Sequence, residues 1–269
     1  MSLRAYLSSL QRTTRASEFG ALQDQLQVLR GLCQAPPTPH EPVCLVGDIH
    51  GRADLLVRFM TLRQRHFPHA RLVILGDMID RGENSAEVLA LLRNETTSGA
   101  VCIAGNHEAM LLAFLDDPTI QAKRWLAHGG LETLASFGLR GIPRDAADHQ
   151  EIRDHLRAAL GCETEAWLRR LPYFWRSGDL VVVHAALDPA RPIKAQRTEV
   201  LTWGHPDFDH IPRKDGIWVA HGHVVVERAF ARSGRIALDT GAYATGRLSY
   251  ALIDPAMADA ERITLGVTP

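Results

Sequence analysis

Cysteine is scarce and scattered in this chain. The four, Cys33, Cys44, Cys102 and Cys162, form no CxxC pair, which argues against a zinc ribbon, a thioredoxin-type redox pair or a disulfide scaffold. Cys44 and Cys102 lie in apolar runs, where a thiol serves as a small hydrophobe, so all four are expected to be reduced and structural. Neither sign of charge dominates: 30 Lys plus Arg stand against 31 Asp plus Glu. That balance removes the global electrostatic case for a nucleic-acid partner. No window approaches the ~20 apolar residues of a membrane span. Residues 1–10 have no basic start followed by an unbroken apolar stretch. The expectation is no membrane partner and a cytoplasmic location. Repeats and low-complexity segments are also absent, and 269 residues suffice for one full core with a subdomain.

What is present is a cadence. Residues 17–32 put Phe19, Leu22, Leu26 and Leu29 on one helical face, and a proline-rich connector ends at Pro42. These make residues 1–42 an N-terminal helix and connector. Strands are then predicted at Val43–Val46, Arg71–Leu75 and Val101–Ala104, with helices at Ala53–His66, Ser85–Arg93 and about Glu108–Leu115. Strand, polar loop and helix recurring three times gives an α/β unit whose functional residues sit at the carboxyl ends of strands. Residues 118–172 carry helical spacings only, and read as a helical insertion beside or over the site. Strands resume at Leu180–Val183 and Gly216–Ala220, with others expected at Val224–Phe230, Arg235–Asp239 and Tyr250–Ile253. The whole reads as a two-layered β core flanked by helices, with a catalytic domain over 43–255 and a tail over 256–269.

Five polar blocks punctuate this pattern: Gly47-Asp48-Ile49-His50-Gly51, Gly76-Asp77-Met78-Ile79-Asp80-Arg81-Gly82, Gly105-Asn106-His107-Glu108, Val183-His184-Ala185 and His221-Gly222-His223. Hard oxygen ligands mixed with imidazoles suit divalent first-row metals, and their number suits two ions. Asp48 and His50 can turn toward one ion, although a helix-capping Asp beside a solvated His is the simpler alternative. Asp77 repeats the placement, and one carboxylate can bridge ions ~3.5–4 Å apart. Arg81 offers a planar fork for phosphate oxygens. Asn106 adds a neutral oxygen ligand, or else caps the helix that follows. His107 is placed to protonate a leaving oxygen, with Asp80 orienting it. His184 and His223 arrive after buried strands, with His221 a rival to His223.

The blocks closely resemble those of the phosphoprotein phosphatase family of calcineurin-like metallophosphoesterases, particularly small bacterial members. The GDxHG, GDxxDRG and GNHE blocks are complete, and the resemblance spans about residues 43–255. It implies a mixed α/β, four-layer fold with a central β-sandwich flanked by helices. It also implies two divalent ions, Mn²⁺ as the assay metal with Fe or Zn as cellular alternatives. By resemblance, Asp48, His50 and Asp77 hold the first ion, and Asp77, Asn106, His184 and His223 the second. Arg81 resembles the phosphate-binding Arg, and Asp80 with His107 the acid pair. The implied chemistry is in-line attack on phosphorus by a hydroxide bridging the ions. Two departures stand out. Where relatives carry Trp-x-Arg, this chain has Trp203-Gly204-His205, so His205 is the expected stand-in on phosphate. Val224 replaces the usual Thr. Arg247 and Tyr243 are further candidates for substrate contact.

These features predict a phosphomonoester hydrolase acting on phosphoserine or phosphothreonine of proteins, or on small phosphoesters. A dinucleoside polyphosphate hydrolase is the alternative, for which Trp125, Trp167, Tyr173 and Trp175 could stack a base. A non-catalytic phosphate-binding module is the alternative of another class. The oligomeric state is not legible.

Overall fold

In the computed structural model, residues 35–142 and 148–268 are described. The helix expected over 17–32 lies outside them, as does Cys33. The first half alternates as predicted: β1 (Val43–Val46), α1 (Ala53–His66), β2 (Arg71–Ile74), α2 (Ser85–Thr97), β3 (Val101–Cys102) and α3 (Asn106–Asp116). The insertion follows as α4 (Pro118–Trp125), a kink at Leu126–Gly130 where His128 and Gly129 leave helical backbone geometry, α5 (Leu131–Ser136), α6 (His149–Leu160) and α7 (Cys162–Arg169). The second half holds β4 (Phe174–Ser177), β5 (Leu180–Val183), α8 (Thr198–Trp203), β6 (Trp218–His221), β7 (Phe230–Arg232), β8 (Arg235–Ala237), α9 (Ala242–Thr245), β9 (Ser249–Ile253) and β10 (Ile263–Val267).

Two mixed five-stranded sheets form, in the orders β10-β9-β1-β2-β3 and β4-β5-β6-β8-β7. Within them β1, β2 and β3 are mutually parallel, as are β5, β6 and β8. Strand alternation sets the layers. Val43, Leu45, Val73, Leu75, Leu180, Val182, Trp218 and Ala220 meet between the sheets. Cys44, Val46, Leu72 and Ile74 face the opposite way, into a core shared with Phe59, Leu89, Phe114, Trp125, Leu134, Leu156 and Trp167. The insertion is therefore fused to the helical layer of the first sheet by one continuous core. Val181, Val183 and Val219 pack outward on Leu187, Leu201 and Phe208.

Several expectations need correction. No strand forms over 224–229: Val224 and Val225 are half exposed in a loop, and pairing begins only at Phe230. Three consecutive valines give β propensity, but nothing covers their outer face. Two edge strands escaped the sequence reading, β4 and β10, because each is short and half exposed. Through β10, residues 263–267 of the expected tail extend the first sheet by pairing with β9. Cys44 and Cys102 are buried free thiols, as expected for structural cysteines. Among the described residues, no helix is long and apolar enough to cross a membrane.

Candidate active site

The carboxyl ends of the parallel strands converge. The loop after β1 delivers Asp48 and His50, that after β2 delivers Asp77, Asp80 and Arg81, and β3 leads into Asn106 and His107. From the second sheet, β5 ends at His184 and β6 leads to His223. All of these except Arg81 and His223 are essentially buried.

The backbone is under tension here. Six non-glycine residues among those described have positive φ, and five are His50, Asp77, Asp80, Arg81 and His223, at 46° to 69°. Such left-handed backbone outside glycine costs free energy and persists where the surroundings over-determine it. Glu108 is one determinant. Its buried carboxylate accepts the N–H of Asp77 at 2.9 Å, Met78 at 2.8 Å and Gly105 at 2.8 Å, joining the loops after β2 and β3. Burial and the Asp77 charge push its carboxyl up to about 7, while the three N–H donors favour the ionised form. Two glycines are dictated by close approach. A Cβ on Gly105 would lie 2.1 Å from Asp77 Oδ1, and one on Gly222 would lie 1.9 Å from Asp48 Oδ1.

Asp77 is common to two donor groups, His50–Asp77–His107 and Asp77–His184–His223, whose ligand atoms lie within 4.8 Å of one another in each group. His184 shows what these groups are built for. Its Nδ1–H donates to Leu75 O at 2.9 Å. Its Nε2 then faces Asn106 Oδ1 at 2.8 Å and Asp77 Oδ2 at 3.3 Å, two acceptors. A neutral imidazole would set lone pair against lone pair, so a cation or a proton is required between them. Burial alone would lower the His184 pKa, but the Asp77 charge outweighs it and raises it to about 10. His50 repeats the design: Nδ1 donates to Ile79 O at 2.8 Å, and the buried Nε2 has no hydrogen-bond partner, 3.6 Å from Asp77 Oδ2. Burial holds its pKa down at about 3. A backbone carbonyl that fixes Nδ1–H and leaves Nε2 free is the usual support of a metal-ligating histidine.

Asp48 approaches from the other wall, its carboxylate accepting the His223 N–H at 3.1 Å. Burial and the Asp239 charge push its pKa well above the ordinary range. Opposed buried carboxylates beside free imidazole lone pairs fit divalent cations. His107 differs from the other histidines. Its Nδ1 meets Asp80 Oδ2 at 2.7 Å and its Nε2 meets an Arg81 guanidinium nitrogen at 3.2 Å. Burial pulls the imidazole down, but the Asp77 charge and the Asp80 hydrogen bond leave its pKa raised. Asp80 is itself dressed by Thr133 Oγ1 at 2.6 Å and Trp125 Nε1 at 3.0 Å.

Residues 41–227 match the calcineurin-like phosphoesterase family. The chain belongs to that family. It is 30% identical over 220 residues to serine/threonine-protein phosphatase 1 of Salmonella typhimurium, covering 78% of this chain and 91% of that one. It is 27% identical over 222 residues to the asymmetrical bis(5'-nucleosyl)-tetraphosphatase PrpE of Bacillus velezensis, covering 73% and 83%. Its fold is also similar to that of a cold-active protein-tyrosine phosphatase from a psychrophilic Shewanella, with a TM-score of 0.57 at 18% identity over 88% of this chain and 83% of that one. As a calcineurin-like phosphoesterase it is a metal-dependent phosphoric ester hydrolase.

Within this calcineurin-like phosphoesterase, the remaining expected residues part ways. Tyr243 lies at the site, edge-on to His50 with ring centroids 5.4 Å apart, and the Arg81 guanidinium lies 4.8 Å over its ring. His205 is turned elsewhere: its Nε2 lies 3.8 Å from Asp188 Oδ2 and its Nδ1 accepts the Asp207 N–H at 3.2 Å. Arg247 is half-buried and joins the network through its backbone, its carbonyl accepting the Thr240 hydroxyl at 2.7 Å. His221, the rival of His223, packs against Phe208 and stands outside both donor groups. Of the four expected as possible base-stacking residues, Trp125 and Trp167 are buried in the core, whereas Tyr173 is exposed and Trp175 half-buried on β4.

Sequence reasoning passed over Glu108, Thr133 and Asp239. Glu108 stands three residues after Gly105 at a helix start, a capping pattern that was readable. Asp239 follows an apolar run just as Asp48 and Asp77 do. Thr133 left no signal, because its partner is 53 residues away.

Proposed function

We propose that the protein hydrolyses phosphomonoesters, with phosphoserine and phosphothreonine residues of proteins as the substrate class, at a two-ion centre. Asp48, His50 and Asp77 would hold one ion, and Asp77, Asn106, His184 and His223 the other. Mn²⁺ fits the mixed oxygen and imidazole donors, with Fe or Zn as alternatives. When bound, such ions withdraw charge from phosphoryl oxygens and acidify water. The chain's own residues do the rest. Arg81 binds a phosphoryl oxygen through its guanidinium edge. In this arrangement Arg81 donates to His107 Nε2; once the guanidinium turns to the phosphoryl oxygen, His107 carries a proton on Nε2 to the departing ester oxygen, with Asp80 holding Nδ1–H so that the imidazole presents Nε2 in one orientation.

The observation that carries the substrate class is the burial of the insertion's tryptophans. Trp125 is fully buried, hydrogen-bonded to Asp80 and packed against Phe114 at 4.7 Å between centroids. The insertion thus uses Trp125 to support the acid pair and Trp167 to fill the core, and offers neither as a base-stacking shelf. The similarity to a serine/threonine phosphatase over most of both chains points the same way.

A second reading is hydrolysis of dinucleoside polyphosphates. The exposed rings of Trp203 and Tyr243 at the site favour it, as does the similarity to a tetraphosphatase. Product analysis of the Mn²⁺-loaded protein on phosphopeptides, diadenosine tetraphosphate and simple monoesters separates the two. Preference for phosphopeptides by kcat/KM supports the first. Faster cleavage of the dinucleotide, with nucleotide products, replaces it with the second.

A further inference from the structure

Two guanidinium–aromatic pairs flank the site. On one side Arg81 lies over Tyr243, which meets His50 edge-on at 5.4 Å and 83°. On the other side Arg124 lies 4.4 Å over the Trp203 ring, which meets His223 edge-on at 6.0 Å and 84°. Each pair thus leans on a histidine of a different donor group. Trp203 and Tyr243 are 37% and 39% exposed, so both shelves open to solvent beside the histidines.

The two arginines are held by the same stretch of the insertion. Arg81 N–H donates to Gly129 O at 3.3 Å, and the Arg124 carbonyl meets His128 Nδ1 at 2.7 Å. Gly129 is left-handed at φ 105°, and a Cβ there would lie 2.5 Å from Arg81 N. The kink at Leu126–Gly130 therefore presses on Arg81 at one end and follows α4, which carries Arg124, at the other. Among the described residues neither guanidinium pairs with a carboxylate. A guanidinium stacked on a ring keeps its in-plane N–H donors clear of that ring, and apart from the Arg81 nitrogen that meets His107 Nε2 these can meet an oxyanion.

We propose that Arg124 is a second substrate-binding guanidinium, supplied by the insertion, which binds a phosphate oxygen on the His223 side and selects dianionic monoesters over monoanionic diesters. This rests on the phosphomonoester site proposed above, with Arg81 holding the opposite oxygen. His205, two residues beyond Trp203, is engaged with Asp188 and the Asp207 backbone, which leaves that flank to Arg124. A monoester dianion can satisfy both forks. A diester has one of those oxygens esterified, so it gains less from the second.

The test compares the parent with Arg124→Ala, Arg124→Gln and Arg124→Lys, all Mn²⁺-loaded and assayed for metal content. Binding of inorganic phosphate is measured by calorimetry, and kcat and KM on p-nitrophenyl phosphate and on bis(p-nitrophenyl) phosphate. One charge-assisted hydrogen bond corresponds to about ten- to hundredfold in affinity. Arg124→Ala and Arg124→Gln should weaken phosphate binding by that order and raise the monoester KM more than they lower kcat. They should also narrow the monoester-to-diester ratio of kcat/KM, with metal retained. Arg124→Lys should fall between, and added guanidinium should restore monoester turnover to Arg124→Ala. Unchanged phosphate affinity and an unchanged ratio overturn the assignment. So does an equal loss on both esters with loss of metal, which would make Arg124 a prop for Trp203 and His223. A parent that binds no phosphate overturns the phosphomonoester site and Arg124 with it, whereas a parent that binds phosphate as tightly as Arg124→Ala overturns Arg124 alone.

Discussion

The indole Nε1–H of Trp125 donates to Asp80 Oδ2 at 3.0 Å, 45 residues across the sequence. The insertion thereby reaches into the proposed acid pair, because the same Asp80 oxygen meets His107 Nδ1. Trp125→Phe would keep the ring against Phe114 and remove the N–H alone. Asp80 would retain Thr133 and His107 as donors, so the loss should stay near the lower end of the roughly ten- to hundredfold that one hydrogen bond to a charged group contributes. It should be larger on alkyl phosphates than on p-nitrophenyl phosphate, since only the poor leaving group depends on the acid. A rate series over leaving groups is the check, and an equal loss on all of them would detach Trp125 from proton transfer.

His107→Asn removes the proposed acid itself. The expected loss is ~10²–10⁴-fold on poor leaving groups, with much less on nitrophenolate and both ions retained. A lost metal would instead make His107 a ligand, which its membership of the His50–Asp77–His107 group allows geometrically.

Asp77→Asn tests the shared carboxylate. Asp77 Oδ2 lies 3.6 Å from His50 Nε2 and 3.3 Å from His184 Nε2, so its charge serves both donor groups. The variant should lose at least one metal per chain by elemental analysis and lose activity by orders of magnitude, with its circular dichroism preserved. Two retained ions with near-normal turnover would contradict a bridging role.

Metal loading should release protons. In the metal-free protein the Asp77 charge holds His184 up at about 10, so its imidazole is protonated at neutral pH. A ligand imidazole must be neutral, and binding therefore expels that proton. Apparent metal affinity should rise with pH, by about a factor of ten per unit for each proton displaced. Calorimetry in buffers of different ionisation enthalpy measures the release directly. Heat that does not depend on the buffer would mean that His184 is already neutral.

Glu108→Gln probes the tie beneath the left-handed backbone. An amide cannot accept all three N–H groups without turning its own N–H₂ against a donor, and a buried donor left unpaired costs roughly 1–3 kcal/mol. Thermal unfolding should shift down by several degrees, and metal affinity should weaken because Asp77 loses its anchor. An unchanged midpoint would mean that the loops after β2 and β3 hold themselves.

Much of this was legible in the chain. β1, α1 and β5 match the periodicity to the residue, because each is short, bounded by glycine, proline or polar residues, and buried on a single clear pattern. The residues that converge at the site were legible for a related reason: each follows a buried strand, and parallel strands bring their carboxyl ends together. What stayed hidden depends on contacts between distant segments. Nothing local tells that Thr133 and Trp125 serve Asp80, or that His205 turns to Asp188. Val224–Val226 misled because β-branched side chains favour extended backbone whether or not a neighbouring strand is there to pair with it.

The kinked turn at Leu126–Gly130 has a consequence for modularity. Gly129 lies against the Arg81 backbone, Trp125 precedes the turn and Thr133 follows it, so three contacts to the loop after β2 are spaced along nine residues of the insertion. A cap exchanged between relatives at its outer boundaries would have to reproduce that spacing, since a one-residue slip would move the indole, the glycine and the hydroxyl off their partners together. Among the described residues the outer helices α6 and α7 make no such contacts to that loop, and are tied instead by Leu156 and Trp167 to the shared core. Variation can accumulate on their exposed faces while the stretch from Trp125 to Thr133 stays in register with Asp80 and Arg81.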